Sequence, residues 1–317
     1  MRAVRVHEFG APDVLQVEDL PDPAPDPGQV VIETAYADVM FLDVRLRSGW
    51  GRDYFQVTVP YVPGGGVGGT VTAVGDGVDA ALLGTVVTAR VGGVLPVGGY
   101  AEQAVADADA LTPVPAEVDL AAATAMVHDG RTAIAAYDAA AVQPGELVVV
   151  TAASGGLGTL LTQLSVRAGA NVVAVVGNSD KADMLHRLGA QVTLNAATPG
   201  WAEQLPDRPQ VVFDGAGGAV GTDAARLLGA GGRFLPYGAA SGEFADADGS
   251  PAQIIDLRQL NAAGAIDWAK ISRRALELVG SGGITVVIGQ TFPLEDAVDA
   301  HTVIEQRRAT GRTLLVC

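Results

Sequence analysis

Short apolar runs punctuated by turn residues fill the first third of the chain. Ala3–Val6, Val30–Thr34, Thr70–Val74 and Val86–Ala89 are brief and valine-rich, which predicts strands rather than helices. Clusters such as Pro21-Asp-Pro-Ala-Pro-Asp-Pro-Gly28 and Val74-Gly-Asp-Gly-Val78 connect them, so this part reads as a folded-over, strand-rich domain. The period changes beyond Thr112-Pro-Val-Pro-Ala116. Asp119 is placed to cap an Ala-rich segment, Leu120–Ala141, forming one helix or two broken near Asp129-Gly130. From Leu147 onward, buried-type strands alternate with helices. Strands are expected at Leu147–Ala152, Asn171–Val176, Val211–Asp214, Arg233–Tyr237 and Ile284–Ile288. Helices are expected at Leu157–Ala168, Asp180–Leu188, Ala219–Leu228 and Ala269–Val279. That alternation belongs to an α/β fold with a doubly wound parallel sheet. A last helix, Leu294–Arg307, and strand, Thr313–Val316, are expected to return to the first domain. The division is then 1–120 plus 290–317 for the β-rich domain and 121–289 for the parallel one.

Composition narrows the partners. The 36 acidic against 20 basic residues give a formal charge of −16, which disfavours nucleic acid and anionic membrane surfaces. Cys317 is the single cysteine, so no internal disulfide or cysteine-rich zinc lobe can form. Histidines occur only at 7, 128, 186 and 301, without ligand spacing, so no metal is expected. No apolar run is long enough to span a bilayer, and Met1–Val14 is interrupted by Arg2, Arg5, Glu8 and Asp13. No leader is expected, and the cytoplasm is the expected location.

Two glycine clusters compete for a phosphate-binding role. Ala153-Ser-Gly-Gly-Leu-Gly158 follows one strand, opens a helix and is followed by a second strand. That is the setting of a dinucleotide fingerprint, with Ala in the first glycine place. Gly155 would admit a pyrophosphate, Gly158 would let the helix pack closely, and the helix N-terminus would supply N–H donors. Gly64-Gly-Gly-Val-Gly-Gly69 fits the bare pattern better, but it follows Pro60 and Pro63 and precedes a β-branched run, so it is read as a loop between strands. At the tip of the second strand, Gly177-Asn-Ser-Asp-Lys181 has no acid placed on a ribose. It has small polar residues and one of only two lysines, Lys181 and Lys270. Such donors suit a 2′-phosphate, so NADPH is favoured over NADH. Asp180 reads as a helix cap.

These segments, with Val6-His-Glu-Phe-Gly-Ala-Pro-Asp-Val-Leu15, Asp43-Val-Arg-Leu-Arg-Ser-Gly49, Pro63-Gly64, Thr132-Ala133, Leu188-Gly-Ala190, Gly231-Gly-Arg233 and Gly311-Arg-Thr-Leu-Leu-Val316, resemble the medium-chain dehydrogenase/reductase superfamily. The nearest branch is the zinc-free, zeta-crystallin-like quinone oxidoreductases. The resemblance implies a GroES-like domain, split between the chain ends, and a Rossmann domain, with the nicotinamide in the cleft between them. It implies a homodimer, with Thr285-Val-Val-Ile288 as a pairing edge. It places Thr132 at the nicotinamide ribose and Ser154, Gly155, Gly156 and Leu157 at the phosphates. Gly177, Asn178, Ser179 and Lys181 fall at the 2′-phosphate, and Gly215, Tyr237, Gly238 and Ala239 near the nicotinamide half. Met40 and Asp43 are taken with the cofactor. Three positions depart from the family pattern: Met40 replaces an Asn, Arg45 a Tyr, and Ala196 a Tyr.

The implied chemistry is metal-free hydride transfer from NADPH to a quinone or to the C=C of an enone, with a small-molecule substrate. Arg45 is read as holding a developing anion or a substrate carboxylate, or else pairing with Asp43 or Asp38. Tyr54 is read as a proton donor or stacking ring, Tyr61 as a pocket residue, and His128 as a residue in reach of substrate. Two other readings stay open: a tailoring enoyl reductase of a polyketide or quinonoid pathway, and a non-catalytic NADPH-binding sensor or structural protein.

Overall fold

A computed structural model describes residues 1–317 apart from Asp53, Tyr54, Val94 and Pro96. The chain begins with β1 (Arg2–Val6), β2 (Leu15–Asp19) and the long β3 (Gln29–Val39), then α1 (Phe41–Arg47). Next come β4 (Gly66–Val74), β5 (Val86–Arg90), β6 (Gln103–Asp107) and β7 (Leu111–Pro113). Helices α2 (Leu120–Ala125) and α3 (Asp129–Ala140) follow. The Ala-rich segment is thus two helices, broken at 126–128. Asp119 caps α2 by accepting from the Ala122 N–H at 3.0 Å.

Alternation then sets in: β8 (Leu147–Thr151), α4 (Gly156–Arg167), β9 (Asn171–Val176), α5 (Ala182–Arg187), β10 (Val192–Asn195) and β11 (Val211–Asp214). It continues with α6 (Gly218–Leu227), β12 (Arg233–Pro236), β13 (Gln253–Ile254), α7 (Leu257–Ala262) and α8 (Trp268–Gly280). The chain closes with β14 (Ile288–Pro293), α9 (Ala297–Glu305) and β15 (Arg312–Val316).

Two compact units result. One combines Met1–His128, Ser272–Ser281 and Val287–Cys317; the other combines Asp129–Ile271 and Gly282–Val286. In the first, β15 pairs antiparallel with β3, in a seven-membered sheet ordered β14-β15-β3-β4-β5-β7 with β6 also on β3. Its core gathers Val30, Ile32, Val67, Val71, Val87, Tyr100, Leu294 and Leu315. In the second, six parallel strands run in the order β10-β9-β8-β11-β12-β13. Every residue of β8 is buried, as expected of a parallel strand covered on both faces. The strand order reverses between β8 and β11, and that reversal opens a crevice at the strands' carboxyl ends.

Three expectations are corrected. The Gly64–Gly69 loop is strand from Gly66 onward, inside β4. The glycines are there because neighbours leave no room: a Cβ on Gly68 would sit 2.0 Å from the Thr124 hydroxyl of α2, and one on Gly69 2.0 Å from the Glu33 carbonyl of β3. Helix α1 has no counterpart in the sequence reading. Ile284–Val287 is not strand; pairing begins at Ile288, where β14 runs parallel to β15. Finally, the turn before α5 is capped by Asn178, whose Oδ1 accepts from the Asp180 N–H at 3.0 Å. Asp180 is the capped residue, not the cap.

Candidate functional site

The crevice of the parallel sheet is built from three strand tips. At the end of β8 the Thr151 hydroxyl donates to Asp214 Oδ1 at the end of β11, at 2.5 Å. Thr151 Oγ1 in turn accepts from the Gly215 and Ala216 N–H groups at 3.0 Å each. Asp214 also accepts from Gly217 N–H at 3.2 Å. Tyr237, just past β12, donates its hydroxyl to the Thr151 carbonyl at 2.7 Å. Burial raises the Asp214 carboxyl above its ordinary range, and burial with the Asp214 charge raises the Tyr237 hydroxyl well above its own. These groups fix the crevice floor. Tyr237, expected near the nicotinamide half, has its hydroxyl committed to the strand ends. Gly215 is required by this packing, since a Cβ there would lie 2.3 Å from the Tyr237 ring.

Above that floor the chain leaves β8 through Ala152, at φ 50°, and enters α4. The N-cap, Gly155, has no side chain to satisfy the first-turn N–H groups of Gly156, Leu157 and Gly158. Its own backbone is not crowded: a Cβ would come no closer than 3.5 Å to the Ala152 carbonyl. Gly158 differs, because a Cβ there would lie 2.6 Å from that carbonyl and 2.7 Å from Ala153 Cα. Gly158 seats the helix on its strand, whereas Gly155 leaves open space at a positive helix end. A pyrophosphate fits such a cradle.

Alongside, β9 ends at Val176 and the chain turns through exposed Gly177, Asn178 and Ser179 to half-buried Lys181. A Cβ on Gly177 would meet nothing within 4 Å. Asn195, at the end of β10, donates to the Ser179 hydroxyl at 3.0 Å. Partial burial lowers the Lys181 pKa. Asp180 is exposed and accepts from Asn178 Nδ2 at 3.0 Å, so the tip carries one lysine, one carboxylate bound to Asn178, and the neutral Ser179 and Asn178 groups. Ser154 is buried; Gly238 and Ala239 are half-buried beyond β12.

The first unit holds a buried polar network that sequence reasoning saw only in part. Asp38, on β3 and fully buried, accepts at Oδ2 from Arg312 of β15 at 2.6 Å and faces His128 Nδ1 at 2.9 Å. Burial opposes its ionisation, but the His128 and Arg312 charges hold its carboxyl below the usual range. Asp43, on α1, accepts from Met40 N–H at 2.9 Å and from the Tyr100 hydroxyl at 3.2 Å. Burial, then the Asp38 charge, pushes Asp43 up to about 8. The Tyr100 hydroxyl also lies 3.1 Å from His301 Nε2, and burial with the nearby Arg47 charge lowers His301 to about 3. Arg47 is wholly buried; it donates to the Gly10 carbonyl at 2.5 Å and pairs with Glu305.

Asp43, 1% exposed, is thus a strut inside the first unit, and its reading as a cofactor contact is corrected. Met40 caps α1 and is buried. Arg45 pairs with neither Asp43 nor Asp38. Its guanidinium lies 4.9 Å above the Trp50 ring, because both carboxylates are turned inward. Thr132 lies half-buried in the first turn of α3. The Tyr61 hydroxyl is buried without a partner, and burial raises its pKa. Tyr54 lies outside the described residues. Asp38, Arg47, Tyr100, Thr151 and Asp214 were not singled out as site residues. Only the last two carried a signal, as the polar ends of apolar strands.

Among the described residues, no group of three or more His, Cys, Asp or Glu assembles as a metal requires, and no helix is long and apolar enough to cross a membrane. Comparisons with known proteins agree with this architecture. Residues 26–116 match the alcohol dehydrogenase GroES-like domain, and residues 188–315 match the zinc-binding dehydrogenase family. The zinc in that second description does not fit this chain, whose described donors are not gathered. A probable quinone oxidoreductase of Schizosaccharomyces pombe is 30% identical across 99% of this chain and 96% of its own length. A 2-haloacrylate reductase of Burkholderia is 27% identical, with 99% and 98% covered. A solved mycobacterial protein complexed with NADPH superposes with a TM-score of 0.88 at 31% identity, covering 100% of both chains. With a split GroES-like unit, a dinucleotide-type sheet and no assembled metal donors among its described residues, the chain belongs to the zinc-free quinone oxidoreductase branch of the medium-chain dehydrogenase/reductase superfamily.

Proposed function

We propose that the chain is an NADPH-dependent reductase that acts on a quinone or on the polarised C=C of an enone. The observation that carries this reading is the uncapped, glycine-lined start of α4 at the strand-order reversal. Beside it lies a strand tip whose lysine and neutral donors suit a 2′-phosphate. The NADPH complex of the mycobacterial structural neighbour supports it, as do the activities named for the Schizosaccharomyces and Burkholderia relatives.

In this reading Gly155, Gly156 and Leu157, with Ser154 behind them, hold the pyrophosphate through backbone N–H groups. Gly177, Asn178, Ser179 and Lys181 hold the 2′-phosphate. Thr132 meets the nicotinamide ribose, and Gly215, Gly238 and Ala239 line the nicotinamide half, with Tyr237 holding their backbone. Met40, at the head of α1, stays a proposed cofactor contact. Arg45 and Tyr54 remain the proposed substrate contacts. The cofactor, when bound, supplies the hydride. The chain's task is to orient the acceptor and to stabilise the negative charge that develops on its oxygen.

The same reading takes the chain as a homodimer in the cytoplasm, acting on a small molecule, without nucleic-acid or membrane partners. The excess of acidic residues supports the last point, and sedimentation velocity tests the assembly. The decisive test is NADPH oxidation against a panel of quinones and enones, with NADH in parallel. Turnover with NADPH preferred is the expected result. Tight NADPH binding with no turnover on any acceptor would leave a binding protein instead.

A further inference from the structure

Two helices start at neighbouring strand tips of the parallel sheet, α4 after β8 and α6 after β11, and their first turns are furnished differently. Both N-caps, Gly155 and Gly217, lack a side chain. At α6, however, a buried carboxylate is already in place. Asp214, the last residue of β11, accepts from the Ala216 N–H at 3.2 Å and from the Gly217 N–H at 3.2 Å to each oxygen. Its Oδ2 faces the first turn of α6, where a Cβ on Gly221 would stand 2.3 Å away. Thr151 completes the arrangement from β8. Its hydroxyl donates to Asp214 Oδ1 at 2.5 Å and accepts from the Gly215 and Ala216 N–H groups at 3.0 Å each. Thr151 and Asp214 are wholly buried. Three consecutive N–H groups are thus satisfied by two side chains rather than by solvent. The carbonyls of the turn are engaged as well: Gly215 accepts from the Ala240 N–H at 3.0 Å and Ala216 from the Ser241 N–H at 2.8 Å. This lacing joins the turn after β11 to the turn after β12. A Cβ on Gly238 would lie 3.0 Å from the Gly215 carbonyl, so the two turns touch backbone to backbone. All of these residues belong to the second unit.

We propose that Thr151 and Asp214 are positioning residues that hold the 215–217 turn in the shape that seats the nicotinamide half of the cofactor, and that Asp214 keeps phosphate away from that end of the crevice. In the functional reading above, on which this role depends, the phosphates lie at α4 and Gly215, Gly238 and Ala239 line the nicotinamide half. Burial opposes the charge on Asp214, while the Thr151, Ala216 and Gly217 donors favour it. A carboxylate at the start of α6 takes up the positive helix end that would otherwise attract an anion. The start of α4 has no such carboxylate, so the crevice has one end open to phosphate and one end closed to it. Thr151 and Asp214 lie behind the turn and act through its backbone. The turn is set before the cofactor arrives, and binding does not have to order it.

The test compares NADPH with adenosine 2′,5′-bisphosphate, which carries the adenine half and its 2′-phosphate but no nicotinamide. Thr151→Val keeps the side-chain shape and removes the hydroxyl. It should weaken NADPH by about tenfold, the scale of one net hydrogen bond, and leave the bisphosphate within about twofold of wild type. Thr151→Ser, which restores the hydroxyl, should recover NADPH affinity, and Asp214→Asn should shift the two ligands in the same unequal way as Thr151→Val. A merely structural role would loosen the sheet and weaken both ligands alike. Such a parallel loss overturns the proposal, as does NADPH affinity in Thr151→Val within about twofold of wild type. One measurement needs no variant to fold: hydrogen exchange of the cofactor-free wild type, read on the peptide that spans 215–217. Slow exchange of these amides is expected from their buried acceptors; exchange at the rate of an open loop overturns the preset turn. Failure of the functional reading looks different. Wild type that binds neither NADPH nor the bisphosphate refutes that reading, and the positioning role with it.

Discussion

Asp43 offers a sharp quantitative check on the buried network of the first unit. Its carboxyl is 1% exposed, and burial with the Asp38 charge pushes it from 3.8 up to about 8. Between those values the native chain holds a proton that the unfolded chain has released. Stability therefore falls as pH rises through that window, by about 1.4 kcal/mol per pH unit. From pH 5 to pH 7 the loss amounts to about 3 kcal/mol, a large share of the 5–15 kcal/mol roughly typical of a folded domain. Asp43→Asn removes the titration but keeps an acceptor for the Met40 N–H and the Tyr100 hydroxyl. Any cost of its amide is about 1 kcal/mol or so and independent of pH. Urea unfolding followed by tryptophan fluorescence, at pH 5, 6, 7 and 8, gives the difference between the two proteins at each pH. That difference should move in favour of the variant by about 1.4 kcal/mol per unit between pH 5 and pH 7 and begin to level off toward pH 8. Parallel curves would mean that Asp43 is already ionised in the native chain, and the argument from its burial would be wrong.

His301 should behave in the opposite sense. Its native pKa of about 3 lies below the ordinary 6.5, so its contribution is present above pH 6.5 and is lost as pH falls toward 3. His301→Gln should flatten the acid limb of the same unfolding series. Lys181→Ala should weaken NADPH by about tenfold, one charge-assisted contact, while leaving NADH nearly unchanged in fluorescence titrations; equal losses would remove the strand-tip argument. Gly158→Val should destabilise by about 1–3 kcal/mol through overpacking against Ala152 and Ala153, and should weaken both cofactors together, seen as a lower Tm and a raised Kd. Arg45→Ala and Tyr54→Phe should each lower kcat/KM on a verified substrate. Wild-type values in both would end their proposed roles.

The four central strands of the parallel sheet, β9, β8, β11 and β12, were legible as short apolar runs, whereas the edge strands β10 and β13 were not. Asn171–Val176 and Val211–Asp214 coincide with the observed strands, since burial on both faces leaves no polar alternation to confuse the period. Two segments misled for tertiary reasons. The Gly66–Gly69 stretch looks like a loop by propensity, yet it is strand because α2 and β3 approach its backbone too closely for side chains. Ile284–Ile288 looks like strand by composition, yet the paired residues begin only where β15 supplies a partner. The phosphate cradle was readable from strand, glycines and helix in one local run. The Asp38–His128–Arg312 and Asp43–Tyr100–His301 clusters were not, because each joins residues from distant parts of the chain. Arg45 and Arg47 show how fine the distinction is: two residues apart on α1, one stacks on Trp50 and the other is wholly buried.

Arg312 also ties this chemistry to the order of synthesis. It contacts Asp38 across 274 positions of sequence, and it stands in β15, the strand that completes the hydrogen bonding of β3. A chain emerging from the ribosome makes Asp38 and His128 early, but the cation that pins their carboxylate arrives only with residue 312. Until then β3 has an open edge and a buried-type acid without its counter-charge, a state prone to wrong pairing. The first unit can close only after nearly the whole parallel sheet has been made, so the parallel sheet has the chance to fold before the unit that β15 completes.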